Sequence, residues 1–129
     1  MAHVYKHIAG DATGSVDYKI ITNRRILNSP EHNITLFLLS NTGSDKATVD
    51  IYLKRPIITV TKRDVNDKPI ETVDNSEIYY VLKNLDVPSG VSYNVLEGIP
   101  NFKYTTYFEL YIRVVGDATK TLDLILNYE

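Results

Sequence analysis

The segment 79–97, YYVLKNLDVPSGVSYNVLE, decides the fold that the sequence predicts. It consists of two alternating apolar runs on either side of a Pro-Ser-Gly turn. Pro88 fixes its own φ for a turn, and Gly90 accepts the positive φ that other residues avoid. The residues expected to line the two facing segments are Tyr79, Val81 and Leu85, and Val91, Tyr93 and Val95. The segment therefore predicts two β-strands joined by a short connection.

The same pattern recurs upstream of this segment. Residues 34–40 (ITLFLLS) form a continuous apolar run, which is typical of a strand buried on both sides. Residues 47–54 alternate with period two, which places Val49, Ile51 and Leu53 inward and Asp50 and Tyr52 outward. The polar segment 41–46 lies between the two runs. We predict that they form a hairpin.

The remaining segments also have the character of strands. Residues 3–8 predict an edge strand, and 120–128 a last strand with its leucines inward. Residues 104–115 predict a single long strand with Phe108, Leu110, Ile112 and Val114 inward. Residues 57–62 and 70–73 predict a short strand pair, and 23–33 a loop. No window has helical apolar spacing. We therefore expect one domain, 1–129, that is all-β: a two-sheet antiparallel β-sandwich, jelly-roll or Ig-like, of about 8–10 short strands with almost no helix.

Composition excludes several classes of function. The 129 residues include no cysteine, which removes disulfides, thiolate metal sites and thiol catalysis. The formal net charge is −2, so there is no global attraction to nucleic acid or to anionic membranes. No apolar run reaches the ~20 residues that a membrane-spanning helix needs. We expect no nucleic-acid partner and no membrane partner.

Two groups of residues were considered as metal sites. His3 and His7 share a face of the first strand, but at ~13 Å apart they are too far from each other to chelate one ion. His32 is expected on a surface loop. The segment 64–69 (DVNDKP) resembles the calcium-binding segment of cadherins, although Lys68 replaces an asparagine of that pattern, and an Asp-capped turn accounts for the same residues. We predict no metal and no cofactor, and a calcium-dependent adhesion domain stays a weaker alternative.

The sequence predicts no enzyme. Pro88-Ser89-Gly90 lacks the strand-to-helix context of a nucleophilic serine, and the carboxylates form no convergent motif. The catalytic residues are therefore predicted to be none.

Three segments together resemble small virion proteins of tailed bacteriophages. They are 34–43 followed by 47–53 (ITLFLLSNTG and ATVDIYL), 80–93 (YVLKNLDVPSGVSY), and 111–116 paired with 122–128 (YIRVVG and LDLILNY). The opening residues 4–8 (VYKHI) are similar to the N-terminal strand of such proteins, whereas the insertion 57–75 is longer than in that pattern.

The resemblance implies a non-enzymatic structural part of a virion, either a tail, neck or baseplate component or a capsid decoration protein. Its partners would be other virion proteins, with a homo-oligomer or a symmetric multi-copy assembly. Tyrosines on strand faces and exposed strand edges suit repeated protein contacts, including β-augmentation. The candidate contact residues are Val4, Tyr5, Tyr52, Tyr107 and Tyr111.

The alternative function is a carbohydrate-binding β-sandwich module. Sugar sites present aromatic rings beside polar side chains, and Tyr52, Tyr107 and Tyr111 are the rings available for such a site. The chain contains no tryptophan, which counts against this alternative.

Overall fold

The computed structural model describes residues 2–22, 31–55, 59–74 and 77–129, and the regular secondary structure in these ranges is almost entirely strand. The single helical element of the described residues is a 3₁₀ turn at Val95–Glu97. No helix in the described part of the chain is long and apolar enough to cross a membrane. The strands are β1 (Ala2–Ala9), β2 (Ser15–Ile21), β3 (Glu31–Ser40), β4 (Ala47–Arg55), β5 (Thr59–Arg63), β6 (Pro69–Asp74), β7 (Glu77–Val87), β8 (Ser92–Asn94), β9 (Lys103–Thr105), β10 (Glu109–Val115) and β11 (Thr121–Tyr128).

Two antiparallel sheets form the sandwich, which confirms the predicted fold class. The first sheet has the order β1-β11-β3-β8, and β9 pairs with the start of β3. The second sheet has the order β2-β10-β4-β7. The pairs nest inside one another along the chain, from β4–β7 through β3–β8 and β2–β10 to β1–β11. Such nested pairing arises when one long antiparallel hairpin is wrapped so that its strands contribute to both sheets. This is the topology of a jelly roll and not that of an immunoglobulin domain.

The core lies between the inner faces of the two sheets. Alternate residues of the long strands fill it, because successive side chains of a strand point to opposite faces. Burying a leucine side chain stabilises the fold by ~2 kcal/mol relative to leaving it exposed. The inward positions predicted for the last two strands are confirmed, since Leu110, Ile112, Val114, Leu122, Leu124 and Leu126 are all buried.

The predicted hairpin of residues 34–40 and 47–54 is wrong. Both segments are strands, but β3 belongs to the first sheet and β4 to the second. The polar segment between them crosses from one sheet to the other, and the buried Asn41 side chain holds it by donating to the carbonyl oxygen of Val87 at the end of β7. The inner faces of β3 and β4 therefore pack against each other across the core.

The predicted single strand over 104–115 is also wrong. The chain turns after Thr105, where the Phe108 N–H donates to the Thr105 carbonyl oxygen at 3.1 Å. The turn is required because β9 pairs with β3 of the first sheet whereas β10 lies between β2 and β4 of the second. Phe108, predicted inward, is half-buried at this turn.

The two strands predicted in segment 79–97 are β7, which begins two residues earlier, and β8, and they lie in different sheets. Val95 is buried, and Val81, Leu85 and Tyr93 pack against the core. Tyr79 is 50% and Val91 40% exposed, so the predicted pair of facing segments holds for four of its six residues and not for these two. Tyr79 lies on β7, the terminal strand of its sheet in the described part of the chain.

Two other predictions concern the edges of the fold. The first strand is an edge strand as predicted, since β1 ends its sheet. The predicted short pair is confirmed in its backbone, where β5 and β6 are antiparallel. Of the predicted loop 23–33, residues 23–30 lie outside the described residues, while Glu31–Asn33 is the start of β3 and pairs with β9.

Candidate contact surfaces

A row of aromatic rings crosses the outer face of the second sheet. The strand registers place Tyr52 of β4 directly opposite Tyr111 of β10 and opposite Tyr80 of β7, while Lys19 of β2 lies opposite Tyr111. The Tyr52 and Tyr111 rings are stacked, with centroids 5.2 Å apart and planes inclined by 6°. Tyr80 lies on the other side of Tyr52 at 5.9 Å. We call these side chains, with Asp17 and Arg113, the tyrosine face.

Tyr52 is the centre of the tyrosine face and is only 3% exposed. Its hydroxyl donates to Asp17 Oδ1 at 2.9 Å, and Arg113 Nε donates to the same oxygen at 2.7 Å. The Arg113 guanidinium lies over the Tyr52 ring at 5.4 Å. Tyr52 therefore points outward from the sheet, but its neighbours cover it.

These contacts change the titration of both partners of Asp17. Burial, and then the hydrogen bond to the Asp17 carboxylate, raise the pKa of Tyr52 well above its usual value of 10.0. The hydrogen bond to Asp17 raises the pKa of Arg113 as well. Both side chains therefore keep their protons throughout the neutral range, and the network is intact there.

Cations border the tyrosine face. Lys19 Nζ lies 2.8 Å from Glu109 Oε2, and hydrogen bonding to that carboxylate raises the pKa of Lys19. Lys54 Nζ lies over the Tyr111 ring at 5.8 Å, and Lys83 Nζ over the Tyr80 ring at 4.9 Å. Each such contact contributes ~0.5–1 kcal/mol at an exposed site. The border of the tyrosine face is therefore polar, while the Tyr52 side chain at its centre is shielded from solvent.

The outer face of the first sheet is different in character. Tyr5 of β1 is 71% exposed and lies opposite Ile125 of β11, which is 36% exposed. His3 Nδ1 contacts the Asn127 side-chain oxygen, and His7 Nδ1 lies 2.8 Å from Asp123 Oδ1. We call His3, Tyr5 and His7, with these β11 neighbours, the histidine face.

The five candidate contact residues do not form one surface. Tyr5 belongs to the histidine face, and Val4 is half-buried and packs against the core from the same strand. Tyr52 and Tyr111 belong to the tyrosine face on the other sheet. Tyr107 is 49% exposed in the turn between β9 and β10. Tyr5 and Tyr107 are accordingly the most accessible of the five.

The third histidine is not on a surface loop, so that prediction is wrong. His32 is 5% exposed at the start of β3, where its ring lies 5.4 Å from the Tyr104 ring and 5.1 Å from the Tyr128 ring. The pairing of β3 with β9 brings Tyr104 opposite His32. The sequence gives no local signal of this, because the two residues are far apart in the chain.

The segment that resembles a calcium site folds as an Asp-capped turn. Asp64 Oδ1 accepts hydrogen bonds from the backbone N–H groups of Asn66 at 2.8 Å and Lys68 at 3.0 Å. Asp67 has a φ of 62°, which completes the turn between β5 and β6. In the described ranges, no group of three or more His, Cys, Asp or Glu residues is placed to hold a metal ion.

Sequence reasoning missed the residues that close the tyrosine face. Asp17, Lys19, Glu109 and Arg113 are outward positions of alternating strands, so their orientation could have been read from the period-two pattern. Their contacts depend on the pairing of β10 with both β2 and β4, which the local sequence does not specify.

Comparison with known proteins gives no relative for this chain: no protein-family model, no curated protein and no solved structure matches it.

Proposed function

We propose that this protein is a non-enzymatic structural component of a phage particle, a tail, neck, baseplate or capsid decoration protein, that acts through protein–protein contacts. One observation carries the proposal. On the histidine face, Tyr5 is 71% exposed beside Ile125 on the terminal part of a sheet that is otherwise well packed. Exposed aromatic rings on a rigid strand are favoured contact residues at protein interfaces.

The strand order supports the same proposal by analogy of fold. Jelly rolls occur in viral capsid domains and also in lectin domains, so the topology fits the proposed class without selecting it alone. The chain's partners would be other virion proteins and further copies of itself in a symmetric arrangement.

The first experiment is the mass of the protein in solution, measured by light scattering over a wide concentration range. A defined oligomer is expected, and it should be weakened by Tyr5→Glu, which places a charge on the histidine face. Val65→Glu is the control, since Val65 is fully exposed in the turn between β5 and β6 and is not a candidate contact residue. A monomer at every concentration would contradict self-assembly.

The place of the protein in a particle is tested separately. An antibody raised against the protein should label purified phage particles at repeated positions in electron microscopy. Label that stays in the lysate and never sediments with the particles would rule out a virion component.

A carbohydrate-binding module is the second candidate, because jelly rolls also include lectin domains. Of the three tyrosines considered for such a site, Tyr52 is covered by its neighbours and Tyr111 stacks on it, which leaves Tyr107 as an accessible ring. Quenching of tyrosine fluorescence at millimolar sugar would favour this function over the structural one. A flat titration would remove it.

A further inference from the structure

The edge of β1 differs from the other open edges of the sandwich. Among the described residues, the strands of the two sheets with an unpaired edge are β1, β8, β9, β2 and β7. β8 and β9 have 3 residues each, and the ladders of β2 and β7 with their neighbours contain register shifts. β1 pairs with β11 without interruption from Ala2 to Ala9. Short strands and bulges are devices that prevent edge-to-edge pairing, and β1 has neither. A charged residue on an edge strand is another such device, and β1 has one in Lys6, which is half-buried with its Nζ 5.5 Å from the Tyr18 ring centroid.

The hydrogen bonds at the end of β1 show which of its backbone groups point to the open edge. The Gly10 N–H donates to the Lys120 carbonyl oxygen on the β11 side. The neighbouring Ala9 N–H and C=O are both engaged by the Tyr18 hydroxyl instead. Alternate residues of an antiparallel strand direct their backbone groups to the same side. The open edge therefore carries the N–H and C=O groups of His3, Tyr5 and His7.

These three residues are self-complementary. A two-fold interface brings the same surface of both subunits together, so its sequence must be compatible with its own reverse. The edge-facing residues read His-Tyr-His in both directions around Tyr5. A register centred on Tyr5 pairs Tyr5 with its symmetry mate and His3 with His7 of the second copy, which engages all three residues.

The neighbouring registers are poorer. Centring on Lys6 would place two lysines directly opposite each other, which is destabilising, and would direct His3 to Ala9, whose backbone groups Tyr18 already occupies. Centring on Val4 would pair His3 with Tyr5 and leave His7 without a partner among the described residues. The Tyr5 register instead places Lys6 opposite Val4 of the second copy.

We propose that β1 is a self-pairing edge: two copies of this chain join their first sheets through antiparallel β1 strands in the register centred on Tyr5. The joined sheet is continuous across the two-fold axis, and the histidine faces of both copies lie on one side of it. Each His3 ring then lies beside the His7 ring of the other copy. The inference deepens the proposed function, on which it rests for the assumption that the chain self-associates.

Disulfide trapping tests the register directly, because the chain contains no cysteine. Directly opposed residues of a hydrogen-bonded pair have Cα atoms about 5.5 Å apart, inside the range that a disulfide spans. Tyr5→Cys should give a cross-linked dimer under mild oxidation, about tenfold or more faster than His3→Cys alone or His7→Cys alone. Mixing the His3→Cys and His7→Cys proteins should give a cross-linked heterodimer that neither forms by itself.

A proline variant tests the backbone pairing without a cross-link. The Tyr5 N–H points to the open edge, so Tyr5→Pro removes no hydrogen bond to β11 and should abolish the dimer in light scattering. Tyr5→Ala, which keeps the N–H, should retain it. Equal cross-linking of all single-cysteine variants, or a dimer that survives Tyr5→Pro, would overturn the inference.

The outcomes separate this inference from the proposed function. If the wild-type protein forms an oligomer but Tyr5→Cys is not trapped, only the β1 edge is wrong. If the wild-type protein is monomeric at every concentration and Tyr5→Cys is not trapped, self-assembly is contradicted with it.

Discussion

The ring of Tyr52 lies parallel to the ring of Tyr111 on the neighbouring strand, at 5.2 Å between centroids, and the Tyr52 hydroxyl reaches Asp17 on the strand beyond. One side chain of β4 thus connects three adjacent strands on the outside of a sheet. The arrangement adds a second, smaller packed layer to the second sheet, opposite the main core. This layer should contribute to the free energy of unfolding.

We expect Tyr52→Phe to lower the free energy of unfolding by about 1–2 kcal/mol, because the variant keeps the stacked ring but loses a hydrogen bond to a carboxylate. Tyr52→Ala should cost more, about 3 kcal/mol, since the packed ring is removed as well. Chemical denaturation at pH 7 measures both values. Tyr107→Phe, at an exposed position, is the control and should stay within about 0.5 kcal/mol of wild type. Equal losses at positions 52 and 107 would contradict the role assigned to the Asp17 contact.

Alkaline pH should destabilise the fold through its buried tyrosines. Burial raises the pKa of Tyr104, and burial with the Asp17 contact raises that of Tyr52. Burial favours the neutral, protonated form of both hydroxyls. The two residues therefore make their full contribution to the free energy of unfolding below the pKa of a tyrosine in the unfolded chain, near 10.0. Above it the unfolded chain releases protons that the folded chain retains, and the free energy of unfolding falls with pH by up to about 1.4 kcal/mol per unit for each group.

Tyr104→Phe provides the check on this pH dependence. Within the described residues no group hydrogen-bonds the buried Tyr104 hydroxyl, so the variant should be as stable as wild type at pH 7 or slightly more stable. Denaturation curves between pH 8 and pH 11 should show a shallower decline for the variant. An identical decline would mean that Tyr104 ionises normally in the folded state.

The strands of this fold could be predicted from sequence, but the sheets to which they belong could not. Period-two alternation over residues 47–54 and 120–128 identifies β4 and β11 because the inward leucines, one valine and one isoleucine recur at every second position. The polar segment 41–46 is equally compatible with a hairpin and with a crossing between sheets. The chain crosses between the sheets because the inner faces of β3 and β4 both bury their apolar side chains in one core. The local sequence of residues 41–46 does not specify this packing.

The contact surfaces were predictable to the same limited extent. Alternation places Tyr52 and Tyr111 on outer faces, and both lie there. It does not show that the two rings stack, because their register is set by β4–β10 pairing between residues 59 positions apart, 111 minus 52. The sequence alone therefore does not predict that an outward side chain is buried by other outward side chains. That prediction requires the pairing of the strands.

Asn41 should be essential to the crossing between the sheets. Its side chain is 2% exposed, donates to the Asp45 carbonyl at 2.7 Å and to the Val87 carbonyl at 2.9 Å, and accepts from the Gly43 N–H at 3.0 Å. Asn41→Ala leaves these backbone groups without partners, and we expect a loss of about 2–4 kcal/mol in the free energy of unfolding. Thr42→Ala, on the exposed neighbouring residue, is the control. A loss at Asn41 no larger than at Thr42 would show that water replaces the amide at no cost.

Gly10 marks the place where the turn after β1 contacts the turn after β10. A Cβ atom at Gly10 would lie 2.2 Å from the Gly116 carbonyl oxygen and 2.3 Å from that of Asp117, distances at which backbone must move. The same approach is held by hydrogen bonds from the Gly10 N–H to Lys120 and from the Asp11 N–H to Gly116. We expect Gly10→Ala to separate the turns and to cost at least about 2–3 kcal/mol in thermal or chemical unfolding. Ala12→Ser, on an exposed residue of the same turn, should be neutral.

Since β1 is anchored to the sandwich at this point, Gly10→Ala should also increase amide hydrogen exchange along β1 more than along β4. Unchanged exchange in β1 would show that its pairing with β11 suffices to hold the strand without the turn contact.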